Sequence, residues 1–140
     1  MNVLHLNPSA LPDWSHTFSQ VVVVEHKALR HIYVSGQVGV DAEKRLAGDG
    51  SFKAQIDGAF ANVELALDSA SASWLNVVKL TIFVVDYQPA HSTSIAQAIS
   101  SRFVAGRLPA LSLVGVAALA NPEFLVEVEA IAVDADVSHG

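Results

Sequence analysis

The chain has no cysteine among its 140 residues, which excludes disulfides, thiolate nucleophiles and cysteine-ligated zinc. It is also short of positive charge: eight lysines and arginines against fourteen acidic residues leave a net charge of −6. The only basic grouping is Lys27, Arg30 and His31, whereas nucleic-acid binding usually shows a basic patch or stripe. No apolar run approaches the ~20 residues a membrane helix needs. Met1-Asn2-Val3-Leu4-His5 lacks the basic start and long apolar core of a signal peptide. The histidines are scattered without the paired spacing of metal ligands, so neither a metal site nor a cofactor is expected. These absences point to a cytoplasmic protein that engages neither membrane nor nucleic acid.

What the chain has in excess is apolar side chains: 51% of residues are hydrophobic and the mean hydropathy is +0.39. One domain over residues 1–140 is long enough to build a core. The surplus points to a second burial surface between subunits, since obligate interfaces resemble a split core.

Val21–Val24 and Ile32–Val34 are β-branched runs around a short turn at Lys27–Arg30, and Val3–Leu6 can add a further strand. Phe52, Ile56, Ala59, Phe60, Val63, Ala66, Leu67 and Ala70 recur at helical spacing, with Asp49 or Ser51 as the cap. Val77–Val85 is a continuous apolar run, the pattern of a strand buried on both faces. The spacing of Ile95, Ile99 and Phe103 predicts a second helix over about Ala90–Ala105, stopped by Gly106. Leu111–Val116 and Leu125–Val133 are two further strands, and the polar tail from Asp134 to Gly140 is expected to fray. The order β-β-α-β-α-β-β implies an α+β architecture: a mixed sheet with both helices on one face.

Glu127 and Glu129 stand out chemically. On a strand they point the same way, while Val126, Val128 and Ala130 occupy the alternate positions. A carboxylate in such an apolar run must find a partner or shift its pKa.

Five segments carry a resemblance: SGQVGVD (35–41), AQIDGAFANV (54–63), VVKLTIFVVD (77–86), LPALSLVGV (108–116) and EVEAIAV (127–133). In this order they resemble the Rid family of reactive-intermediate deaminases, also called YjgF-like or endoribonuclease L-PSP proteins, over about Phe18–Val133. The resemblance implies a chorismate-mutase-like fold assembled as a homotrimeric barrel, with small-molecule clefts between subunits. It implies that Glu127 lines the cleft and orients or activates the water that attacks an imine carbon, with Glu129 structural. Ser35 and the backbone at Leu113 would contact the ligand. Three polar family positions differ. Leu111 stands where an arginine clamps a substrate carboxylate, Phe18 where a tyrosine stands, and Ser94 where many members have asparagine. Leu111 on its own reads as core packing, and with Phe18 it would give the pocket an apolar wall.

Arg102, Arg107 and His16 are the groups that can compensate for lost charge or acid–base capacity. Trp14 and His16 lie outside the family pattern, at the edge of the expected cleft. Ser35 has no obvious histidine partner and no nucleophile elbow, so a turn serine bonding local backbone is the competing reading. Two functions follow as expectations. One is an imine or enamine deaminase acting on something other than the usual small 2-imino acids; the other is a non-catalytic trimer binding a metabolite or a protein partner. Ribonuclease activity ranks last on charge.

Overall fold

The computed structural model describes residues 1–135, and the last residues of the tail lie outside it. Strands β1 (Asn2–Leu6), β2 (Val21–His26) and β3 (Leu29–Gln37) form an antiparallel meander. The β2–β3 turn is tighter than expected: Leu29 already pairs with His26, and Lys27 takes the left-handed backbone (φ 56). Helix α1 (Phe52–Ser69) starts at Ser51, whose hydroxyl accepts the Ala54 N–H at 3.2 Å. Strand β4 (Val77–Val85) leads through helix α2 (Ser92–Ser100) to strand β5 (Ala110–Val116), which lies parallel to β4. A parallel pair needs such a crossover. Strand β6 (Val126–Ala135) inserts antiparallel between β3 and β4, giving the order β1-β2-β3-β6-β4-β5.

The mixed α+β sheet with two helices is therefore as the sequence implies. One face packs on the helices: Ile32, Leu80, Ile82, Val84, Val128 and Ala132 meet Ile56, Phe60, Val63 and Leu67 in one fully buried cluster. The other face is bare in the single chain, and Tyr33 and Val114 on it stay 44% and 37% exposed. Among the described residues the sheet is open, with β1 and β5 as its edges.

Four details differ from expectation. First, β4 is covered on one face only; Lys79, Thr81, Phe83 and Val85 alternate with its buried residues and face the bare side. The continuous apolar run thus reflects a face that nothing among the described residues covers. Second, α2 ends at Ser100. The Ser100 and Ser101 hydroxyls turn back to the Gln97 carbonyl (3.2 and 2.7 Å), competing with the acceptors that would extend the helix. Phe103 still reaches the core, edge-on to Trp74 with ring centroids 5.2 Å apart. Gly106 serves a later turn at φ 85. Third, β6 runs to Ala135, because Arg30 pairs with Asp134 at 2.8 Å across the β3–β6 ladder. Fourth, Leu111 is not a core residue: it is 45% exposed on the edge strand.

Candidate active site

A bulge in β3 builds the site. Val34 pairs with Ala130 and Gln37 with Val128, so Ser35 and Gly36 together oppose one residue of β6. The bulge keeps both Val34 and Gln37 on the buried face and brings Gly36 against Glu127. A side chain on Gly36 would not fit: its Cβ would fall 2.7 Å from Cδ and 2.9 Å from Cγ of Glu127, and closer still to Oε1.

Glu127 sits on the bare face of β6, opposite Phe83 of β4, and is half-buried. Burial raises its pKa above the ordinary carboxylate value, and the negative charge of Glu129 two residues on adds to the shift. Its carboxylate lines a cleft of about 380 Å³ with Trp14, His16, Thr17, Phe18, Gly36 and Phe124, completed by Val38, Ala120 and Asn121. Phe18 is stacked on Trp14 at 6.4 Å between centroids.

Buried amides hold the walls in place. Gln55 of α1 donates to the carbonyls of Gly50 and Glu123 (3.0 Å each), and its carbonyl accepts the Leu125 N–H at 2.9 Å. This ties the β5–β6 loop, which carries Asn121 and Phe124, to the helix. Asn62 donates to the carbonyls of Val38 and Val40 at 2.9 and 2.8 Å, fixing the loop after β3. Gln37 donates to the side-chain oxygen of Gln20 at 2.7 Å, and Gln20 donates to the Pro12 carbonyl at 3.1 Å, anchoring the segment before β2.

Ser35 contributes to the same anchoring. Its hydroxyl donates to the Ser19 carbonyl at 2.6 Å and its N–H to the Gln20 carbonyl at 2.9 Å. The hydroxyl of Ser35 thus bonds backbone, but not the local backbone of a turn: its acceptor lies 16 residues earlier in the chain, next to Phe18, and the bond ties that segment to β3.

Not every candidate residue comes together. Leu111 pairs with the fully buried Leu80 and Leu113 with Ile82, so both point to the helix side of the sheet. Glu127 points to the other side, two strands away. Leu111 therefore forms no wall of this chain's cleft, and only another copy can bring the two together. Leu113 lies on the outermost strand, whose outer edge pairs with no other strand among the described residues. Ser94 is half-buried on α2, in the helix layer. The Arg102 guanidinium lies over the Phe60 ring at 5.1 Å and donates to the Ala98 carbonyl at 3.2 Å, so it does not replace an arginine at position 111 within this chain. Arg107 is exposed on the loop before β5. His16 and Trp14 do line the cleft. Among the described residues no cluster of three or more His, Cys, Asp or Glu side chains can hold a metal.

Sequence reasoning gave no role to Phe124, Asn121, Gly36 or the amides. A signal for Gln55 and Asn62 was present, since a polar residue on the apolar face of a helix requires a buried partner. Asn121-Pro122 reads in the sequence as the loop between the last two strands, but nothing there marked Asn121 or Phe124 as part of a cleft.

The endoribonuclease L-PSP family model matches residues 9–134. The rat 2-iminobutanoate/2-iminopropanoate deaminase is 32% identical over 128 residues, covering 91% of this chain and 88% of its own. The mouse protein of the same name is 34% identical over 116 residues, covering 83% and 80%. Among solved structures, RidA from an Antarctic Psychrobacter superposes with a TM-score of 0.77 at 27% identity, over 92% of this chain and 98% of that one. YyfB of the Rid family from Yersinia pestis gives 0.71 at 34% identity, over 94% and 98%. With the Glu127 cleft set in the same six-stranded fold, the chain belongs to the Rid, or endoribonuclease L-PSP, family.

Proposed function

We propose that this chain is a Rid-type deaminase that hydrolyses an imine, enamine or related C–N bond in the Glu127 cleft, on a substrate other than the usual small 2-imino acids. The observation that carries the reading is the half-buried carboxylate of Glu127, raised in pKa and with no hydrogen-bond partner among the described residues, lining a mostly apolar cleft. A base poised closer to working pH is suited to take a proton from water. Water adds to the imine carbon while Glu127 accepts one of its protons. The resulting carbinolamine, protonated on nitrogen, loses ammonia as the carbonyl forms. Relatives named as 2-iminobutanoate/2-iminopropanoate deaminases support this reaction class.

The substrate departs from theirs because Leu111 cannot pair with a carboxylate as an arginine does. We assign Phe18 to the apolar wall, Ser35 to holding the ligand-side loop, and the peptide groups at Leu113 to ligand contact. Leu111, and Ser94 from the helix layer, would act from a neighbouring copy. The bare sheet face and the exposed apolar β5 edge support a homotrimer in which one copy covers the next one's cleft. The absence of cysteine supports action in the cytoplasm. RNA cleavage is not favoured: among the described residues no lysine or arginine lines the cleft to meet phosphates.

The test is hydrolysis of freshly generated 2-iminopropionate by wild type, Leu111→Arg and Glu127→Ala. Weak activity in the wild type, a rise in Leu111→Arg and loss in Glu127→Ala support the proposal. Activity that ignores both substitutions contradicts it. A second reading, a non-catalytic trimer that binds a metabolite or a protein partner, is favoured by Leu111 and by the Ser35 hydroxyl being engaged with Ser19. Under it, Glu127→Ala leaves binding largely intact.

A further inference from the structure

The electrostatics of the cleft are one-sided. Among the described residues, Glu127 is the one Asp, Glu, Lys or Arg that lines it; His16, Thr17 and Asn121 are polar side chains beside it. Glu129, on the same face of β6, adds a second carboxylate nearby. Asp13, beside the cleft, is held below the usual carboxylate range chiefly by the hydroxyl and N–H of Ser15. Lys44 Nζ sits 3.9 Å from the centre of the Trp14 ring, within reach of Asp13's charge. Three aromatic rings, Trp14, Phe18 and Phe124, line the cleft with Val38 and Ala120. The edge that carries Leu111 presents exposed Leu108, Leu113 and Val114 beside it. A neighbour docking through that edge brings aliphatic surface to the cleft, with Arg107, just before the strand, as its exposed cation.

An anionic ligand here meets carboxylate repulsion, and among the described residues no lysine or arginine lines the cleft to offset it. A cationic head meets Glu127 and ring faces that attract cations, as Lys44 over Trp14 illustrates. We infer that the cleft takes a carboxylate-free cation: an iminium or primary ammonium head on a phenyl or branched apolar body. The inference rests on the imine-hydrolase reading and narrows its substrate class. In the reaction an iminium ion and one water give a carbonyl compound and one ammonium ion. The water oxygen bonds to the iminium carbon, the carbon–nitrogen bond breaks, and Glu127 carries a proton from water toward the departing nitrogen. Such a substrate arises from oxidation of a primary amine rather than of an amino acid.

The test separates binding from turnover. The affinities of 2-phenylethylammonium, 2-phenylethanol and 3-phenylpropionate, which share a phenylethyl body and differ in head charge, are measured by titration calorimetry on the intact protein. The expected order is ammonium tightest and carboxylate weakest, with roughly a tenfold or larger gap between them, about 1.4 kcal/mol or more. In Glu127→Gln the ammonium should fall to the level of the alcohol, while the retained alcohol affinity reports an intact cleft. Equal or tighter binding of the carboxylate overturns the inference, as does an ammonium preference that survives Glu127→Gln. Hydrolysis of the imine formed from 2-phenylethylamine is scored separately. If the ammonium preference holds and no imine is turned over, the hydrolase reading fails while the binding inference stands.

Discussion

Gly36 and Glu127 occupy one another's space: the β3 bulge presses the glycine against the glutamate so closely that a single added methyl would collide with the carboxylate. Gly36→Ala should therefore displace Glu127 and remove most activity. Overpacking of this kind costs about 1–3 kcal/mol, so urea denaturation should record a modest loss of stability beside a near-complete loss of turnover. Full activity in Gly36→Ala would show that the carboxylate position is not critical.

The raised pKa of Glu127 has a cost in stability. A carboxyl whose pKa is higher folded than unfolded favours the fold when protonated. That contribution is complete below the unfolded value and is lost as pH rises through the folded one. At pH 7.5 the charged, half-buried group therefore destabilises the protein. Glu127→Gln should raise Tm at pH 7.5, and the gain should shrink as pH falls below the ordinary glutamate range. Thermal melts at both pH values check it; a lower Tm at pH 7.5 would argue that the carboxylate has a stabilising partner.

Most of the fold was legible because its signals are local. Helical spacing marked Phe52–Ser69, and β-branched runs marked Val21–Val24, Ile32–Val34 and Val77–Val85. What misled was the environment outside the chain's own core. Val77–Val85 reads as doubly buried, and Leu111 as core, because apolar residues reserved for another surface look the same in sequence as core residues. The end of α2 was misplaced because the competing serine hydroxyls at Ser100 and Ser101 carry no periodicity. Of the site, Glu127 was visible as a carboxylate in an apolar strand. Phe124 and Asn121 were not, since a tertiary bond from Gln55 places their loop.

That bond is itself testable. Gln55→Ala leaves the Gly50 and Glu123 carbonyls and the Leu125 N–H without their partner. Losing a buried hydrogen-bond partner costs about 1–3 kcal/mol per group, so chemical denaturation should show a destabilisation of at least ~2 kcal/mol. Substrate affinity should fall as the Phe124 wall loosens. An unchanged KM would mean the loop is held by other contacts.

Ser35 separates anchoring from nucleophilic chemistry. Ser35→Ala removes the bond to the Ser19 carbonyl and should cost about 1 kcal/mol. KM should rise as the Phe18 segment shifts, while kcat stays within a few-fold. A collapse of kcat with KM unchanged would place the hydroxyl in the reaction itself.

The most direct test of the central claim is the rate of ammonia release from a freshly generated imine, corrected for spontaneous hydrolysis, for wild type and Glu127→Gln across pH. The account predicts catalysis in the wild type that falls at low pH with an apparent pKa above the ordinary glutamate value. It predicts rates at the spontaneous level in Glu127→Gln at every pH. Undiminished catalysis by Glu127→Gln would contradict it.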